Sequence, residues 1–194
     1  MPNWCNNTLT INGSNKDVRK FIADGLHKKS VPNDAAQIEG LISENDSEDS
    51  CLRLTSYVPM PKTFKNYDTT NYPEKFKKKA KYQMENYGCV GWYGWGLKYL
   101  GTKWDTELTS PKVTRWENDE ISITFNFDTA WTPPVAWLEN VQKKYPKLLF
   151  YMEFIEEGMG FRGFSETIVR NGESPYIDTN FEEVGENDTE IGIW

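Results

Sequence analysis

Between Trp92 and Trp104 the chain places Trp92, Tyr93, Trp95, Tyr99 and Trp104 among Lys98 and Lys103. Flat rings beside ammonium groups suit three kinds of work. They stack on the bases of a single nucleic-acid strand, at roughly 1–3 kcal/mol per base, while lysines attract phosphate. They also form protein-binding surfaces, because Trp and Tyr concentrate at interface centres. The third use is internal: such rings fill a core, and interleaved glycines let backbones approach them closely. The sequence leaves all three open, and these seven residues are the candidate binding site. If packing dominates, Trp95 and Trp104 are the expected anchors, with Lys98 and Lys103 exposed around them.

Catalytic chemistry has weaker support. The one histidine, His27, falls at the end of an expected helix, where imidazole commonly meets helix C-terminal carbonyls. One His and scattered Cys make no transition-metal set, no Ser–His–Asp arrangement and no Cys–His pair. No GxxxxGK[ST] occurs, and Gly158-Met159-Gly160 reads as a hairpin turn rather than a phosphate cradle. Glu153, Glu156 and Glu157 could supply an acid–base pair, but alternation along their strand puts Glu153 on the solvent face. Asp105 and Asp128 sit beside Trp-containing turns, where capping is the commoner role. Cys5, Cys51 and Cys89 are odd in number and unclustered, which fits reduced, unmetallated thiols of a cytoplasmic protein. No catalytic residue, metal or cofactor is expected.

The elements that position these residues follow from periodicity. Residues 7–12 alternate as a strand, and Ser14 or Asn15 caps a helix over 16–26 with Val18, Phe21, Ile22 and Leu26 at helical spacing. Residues 27–50 are polar and acidic, with a short helix near 35–42. Residues 51–57 alternate as a second strand, stopped by Pro59-Met60-Pro61. An insertion, 59–112, then carries a lysine-rich helix from Pro73 to Tyr87, ended by Gly88, with Phe76, Ala80, Met84 and Tyr87 as its apolar stripe. Its glycine-dense continuation, 89–105, implies tight turns rather than regular structure. Strands at 113–117 and 121–128 flank a turn at 118–120. Thr132 and Pro133 open a helix over 134–145, and strands follow at 148–155 and 158–168. Residues 173–194 read as an acidic tail that Ile193-Trp194 could pin down. Two β–α–β units around an insertion predict one α+β domain over 1–194. It is a ferredoxin-like βαββαβ sandwich with an antiparallel sheet, an inserted basic helix and aromatic loop, and an extra C-terminal strand.

Four strings, MPNWCNNTLTING, YGWGLKYLGTKWD, FDTAWTPPVAWLENVQKKYP and YMEFIEEGMGFRG, together resemble the YubB-type ferredoxin-like family of phage and plasmid proteins. The likeness covers most of the chain except residues 27–50 and the tail. It implies a ferredoxin-like domain encoded on a mobile element and carries over no activity or catalytic residue.

Charge completes the reading. The chain carries −7 overall, yet between Lys62 and Lys103 nine lysines face only Asp68, Glu74 and Glu85. The opposing acid concentrates at 34–49 and 173–190. Dense carboxylates can imitate nucleic-acid phosphates and occupy a basic site on another protein, since electrostatic complementarity speeds association. The expected function is therefore a non-enzymatic phage or plasmid accessory protein acting by binding a host protein, as an inhibitor of a host nuclease or defence system. The alternative is a single-stranded nucleic-acid-binding module using the insertion, and the third is a small carboxylate-based enzyme. The N-terminal residues lack signal-peptide features, and no apolar run approaches the roughly 20 residues that span a bilayer, so no membrane association is expected.

Overall fold

The computed structural model describes residues 3–27, 31–32, 34–41, 52–65 and 76–183. In chain order its elements are β1 (Trp4–Ser14), α1 (Asn15–Gly25), α2 (Ala35–Leu41), β2 (Leu52–Arg53), α3 (Leu54–Tyr57), α4 (Lys77–Tyr87) and α5 (Gly91–Trp95). After a π-helical turn, Gly96–Leu100, come β3 (Glu107–Glu117), β4 (Glu120–Ala130), α6 (Val135–Lys144), β5 (Leu149–Glu156), β6 (Phe161–Ile168) and β7 (Tyr176–Glu183). Among the described residues the strands form a seven-stranded sheet ordered β2-β3-β4-β1-β5-β6-β7, with every pair antiparallel.

Alternation decides which way each central strand faces. Cys5, Asn7, Leu9 and Ile11 of β1 are buried, as are Ile123, Phe125 and Phe127 of β4 and Phe150, Met152 and Phe154 of β5. Register places Leu9 opposite both Phe125 and Met152, so the buried rows coincide across the three strands. Each of the Leu, Ile, Phe and Met side chains contributes roughly 1.5–3 kcal/mol by leaving water. The covering layer is α1 and α6. Ser14 caps α1 by accepting from Asp17 N at 3.2 Å. Phe21 of α1 meets Phe150 of β5 at 6.0 Å and Tyr145, just past α6, at 5.2 Å. Tyr57 joins the helices, stacked on Phe21 at 4.3 Å and edge-on to Trp137 of α6 at 5.9 Å. Both helices therefore lie on one face, and on the other Asn6, Tyr151 and Glu153 are exposed among the described residues.

The path β1-α1-β3-β4-α6-β5, with sheet order β3-β4-β1-β5, is the ferredoxin-like core. Its second strand is thus β3, not residues 51–57. Those residues give only the two-residue β2, after which Leu54 and Tyr57 turn inward at helical spacing. Everything between α1 and β3 then lies outside the core path, a longer excursion than 59–112. The strand expected at 113–117 begins six residues earlier, at Glu107, and two register shifts hide its alternation. The turn before β4 has Asn118 and Asp119 both at positive φ, 51° and 66°, the geometry that closes a two-residue hairpin.

Other expectations change in detail. The segment 89–105 contains helical turns, α5 and 96–100, instead of tight turns alone. On α4 the buried residue is Gln83, while Met84 of the expected stripe is exposed. Gln83 donates to Thr63 O at 2.6 Å and accepts from Gly91 N at 3.1 Å, which fastens three parts of the excursion together. Gly88 ends α4 in the left-handed conformation, φ 63°, as expected. Residues 176–183, read as tail, are instead β7. His27 is exposed beyond α1, with φ 52°. Cys51, the Pro73 helix start, residues 42–50 and Ile193-Trp194 lie outside the described residues. Among the described residues no helix is long and apolar enough to cross a membrane.

Candidate binding surface

The seven candidate residues divide into an anchoring set and a presented set. Trp95 is the anchor, 2% exposed, stacked on Tyr99 at 5.6 Å and tilted against Phe64 at 6.5 Å. Tyr99 and Lys98 then tie the π-helical turn to the end of α4. Tyr99 Oη donates to Tyr87 O at 3.0 Å and Lys98 Nζ to the same carbonyl at 2.8 Å. An ammonium group there also meets the negative end of the helix dipole. Burial pushes the Tyr99 hydroxyl above its ordinary pKa. Lys98 is exposed, as expected, but its amine is engaged within the molecule.

Beyond Leu100 the chain doubles back through Gly101, φ 80°, and is held against the β4–α6 loop. Thr102 Oγ1 donates to Ala130 O at 3.0 Å, Thr132 Oγ1 to Gly101 O at 2.6 Å and Asn140 Nδ2 to Tyr99 O at 3.2 Å. Thr132, expected to cap α6, is used for this clamp, and the helix starts at Val135 after Pro134. The clamp delivers Trp104 to the surface. It is 38% exposed, not buried as a packing anchor, because its ring lies against Trp4, itself 51% exposed, at 6.4 Å between centroids. Lys103 is half-buried, with Nζ 4.5 Å from the Trp104 ring and 5.9 Å from Tyr93. Tyr93 is exposed and Trp92 half-buried, in edge contact at 6.0 Å.

Two members of this surface were missed in the sequence. Trp4 pairs across the sheet with Ala130, and its alternation with Asn6 and Thr8 was the available signal. Trp131 follows Ala130 at φ 75°, 39% exposed, with its N–H donating to Asn3 O at 3.0 Å. A bulky side chain in the left-handed region costs about 1–3 kcal/mol and persists only where its surroundings hold it. Periodicity carries no mark of such a residue.

Beside Trp4 a groove of about 530 Å³ is lined by Arg53, Asp105, Glu107, Asn126 and Asp128. Arg53 pairs with Glu107, and Asn6 Nδ2 donates to Asp128 at 2.7 Å. Asp105 accepts from Thr55 N at 3.1 Å, Thr106 N at 3.0 Å and the Thr55 hydroxyl. Burial raises its pKa above the ordinary carboxylate range, against the opposing pull of those hydrogen bonds and of Arg53. The aspartate caps α3, so its perturbation has a structural cause. Of the other carboxylates, Glu153 is exposed, while Glu156 is buried and accepts from Met159 N in the β5–β6 turn.

Cys5 and Cys89 are free and buried. Burial, reinforced by Glu156 and Asp128 and partly opposed by Thr129, pushes the Cys5 thiol up to about 12. At neutral pH it holds almost no thiolate, the reactive form. N-ethylmaleimide should therefore leave Cys5 unmodified in the folded protein and label it fully in denaturant, as read by peptide mass mapping. Comparable rates in the two states would contradict this placement.

Similarity to known proteins follows the fold. Residues 113–192 match the family described as the ferredoxin-like domain in Api92-like protein. That match agrees with the ferredoxin-like fold, although it omits β1, the strand at the sheet's centre. Among solved structures, that of a protein Api92 from Yersinia pseudotuberculosis is similar over 95% of this chain and 99% of its own, at 10% identity and a TM-score of 0.41. No curated protein matches.

Proposed function

We propose that the chain acts by binding a protein partner through the aromatic end of its sheet, without catalysing a reaction. The observation that supports this most is the Trp4–Trp104 pair, two large rings kept partly in water while Trp95 and Trp137 are fully packed. Apolar area left exposed forgoes roughly 25 cal/mol per Å², which a partner would recover on docking. The clamp of Thr102 and Thr132 fixes these rings in advance, which lowers the entropy cost of association.

Local charge favours a partner with basic groups. Lys98 and Lys103 are turned onto Tyr87 and the rings, whereas Asp105, Glu107 and Asp128 line the adjoining groove. The overall charge of −7 and the YubB-type resemblance carry the reading further, to an accessory protein of a phage or plasmid. Its target would be a host nuclease or defence protein, whose basic site the carboxylates occupy. The single-strand-binding alternative draws on the exposed Tyr93 and Trp104 beside Lys103.

The test compares the tagged chain with a Trp4→Ala/Trp104→Ala variant. The unchanged chain should capture a stoichiometric partner from host lysate, and the folded variant should lose it at least tenfold. Capture that survives both substitutions would rule out this end of the sheet. Tight binding of a single-stranded oligonucleotide, lost in the same variant, would turn the reading to nucleic acid.

A further inference from the structure

The face of the sheet opposite the helices carries a second arrangement, on β5 and β6. Alternation brings Tyr151 and Glu153 of β5 to this face, and antiparallel register sets them opposite Glu166 and Phe164 of β6. The four side chains make a square with rings on one diagonal and carboxylates on the other. Tyr151 and Phe164 are stacked across it, 6.0 Å apart at 28°. Tyr151 Oη donates to Glu153 at 3.0 Å. Tyr151, Glu153 and Phe164 line a groove of about 390 Å³ whose walls include Asn6, Thr8 and Ile155. Arg162, which also lines the groove, is held by Glu182 at 3.3 Å, and no ion pair to Glu153 or Glu166 forms among the described residues.

Two ring faces with two carboxylates are complementary to one ligand chemistry, a flat cation carrying several N–H donors. A guanidinium stacks flat on aromatic faces and pairs with carboxylates in the plane of its fork, whereas an ammonium meets both only as a point charge. We propose that this square binds an arginine side chain on an extended segment of a partner protein. Asn6 and Thr8 on the adjacent β1, whose side chains donate to Asp128 and Asn126, present their oxygens as acceptors along the groove for that segment's backbone N–H groups. The raised pKa of the Tyr151 hydroxyl fits the same picture: burial is its largest cause, followed by the Glu153 hydrogen bond and the charges of Glu153 and Glu166. The inference rests on the reading of the chain as a binding protein and gives the chemistry of its partner at a patch distinct from the Trp4 end.

The test uses a blocked Gly/Ser peptide with arginines at alternate positions, its lysine counterpart, and free arginine, each titrated into the full chain with backbone amide shifts recorded. The arginine peptide should shift amides of β1, β5 and β6, and bind about fivefold or more tighter than the lysine peptide. Free arginine should bind the same residues more weakly. Glu153→Gln with Glu166→Gln should weaken the arginine peptide about tenfold at unchanged melting temperature. Glu117→Gln, an exposed carboxylate in the β3–β4 hairpin, and Trp104→Ala should change it less than twofold. Equal affinity for both peptides, an equal loss in Glu117→Gln, or shifts spread over the acidic surface would overturn the proposal. So would tighter binding of free arginine than of the peptide. Because the probe is a peptide, these outcomes are independent of whether Trp4 and Trp104 capture a partner.

Discussion

Replacing Trp137 with Phe should lower the melting temperature by several degrees although most of the ring volume remains. Trp137 is fully buried on α6, and its Nε1–H donates to Leu54 O at 3.0 Å. Phenylalanine removes that bond, which contributes about 0.5–1.5 kcal/mol net, and leaves the carbonyl with its other donor, Val58 N at 3.1 Å. For a chain of this size each kcal/mol corresponds to roughly 2–4 °C. Leu54 is also where the excursion joins the core, since its N–H donates to Thr106 O at 3.2 Å and its side chain is buried. Trp137→Ala, which also removes the edge contact with Tyr57, should cost about 3–5 kcal/mol. Thermal unfolding followed by circular dichroism measures both. If Trp137→Phe melts with the unchanged chain, the hydrogen bond contributes nothing and the joint is held by packing alone.

The legible part of this fold was the part whose side chains obey one period. β1, β4 and β5 alternate strictly, and α1 repeats Val18, Phe21 and Ile22, so the central strands and first helix could be placed from spacing. Where two periods share a few residues the sequence misleads. Leu52 and Leu54 alternate like a strand, yet Leu54 and Tyr57 are also three apart, and burial of Tyr57 against Phe21 selects the helical turn. Of β3 only 113–117 was legible; its first half stayed hidden because register shifts break the alternation and Pro111 lies within the strand. β7 stayed hidden because its alternation is polar: Asp178 and Asn180 point one way, Ile177 and Thr179 the other.

The candidate surface was half legible for a related reason. Composition located the aromatic segment, but only tertiary structure separates Trp95, sealed by Tyr99 and Phe64, from Trp104, turned outward onto Trp4. The partners that decide between burial and display come from distant parts of the chain. Gln83 shows the same limit, a polar residue among lysines that becomes fully buried because Thr63 O and Gly91 N satisfy its amide.

Two glycine-to-alanine changes should move stability in opposite directions. Gly163 on β6 lies opposite Phe154 of β5 and Phe181 of β7. A Cβ there would overlap Asn180 O outright and come within 2.7 Å of Phe154 Cζ. The Phe154 ring cannot easily yield, being packed against Phe181 at 5.0 Å and Phe161 at 6.4 Å. Gly163→Ala must therefore part β6 from β7 or expel the ring, and overpacking of this kind costs about 1–3 kcal/mol or more. Gly40, in the exposed last turn of α2, has no atom of the described residues within 4 Å of its would-be Cβ. Alanine there removes unfolded-chain freedom and favours the helix, so Gly40→Ala should stabilise by up to about 1 kcal/mol. Melting temperatures of the two variants should bracket that of the unchanged chain, with the larger displacement downward. Hydrogen exchange supplies the location: in Gly163→Ala the β7 amides should lose protection first, because among the described residues β7 is paired on one side only and rests on this contact. If Gly163→Ala melts no lower than Gly40→Ala, β6 and β7 do not approach as closely as this account requires.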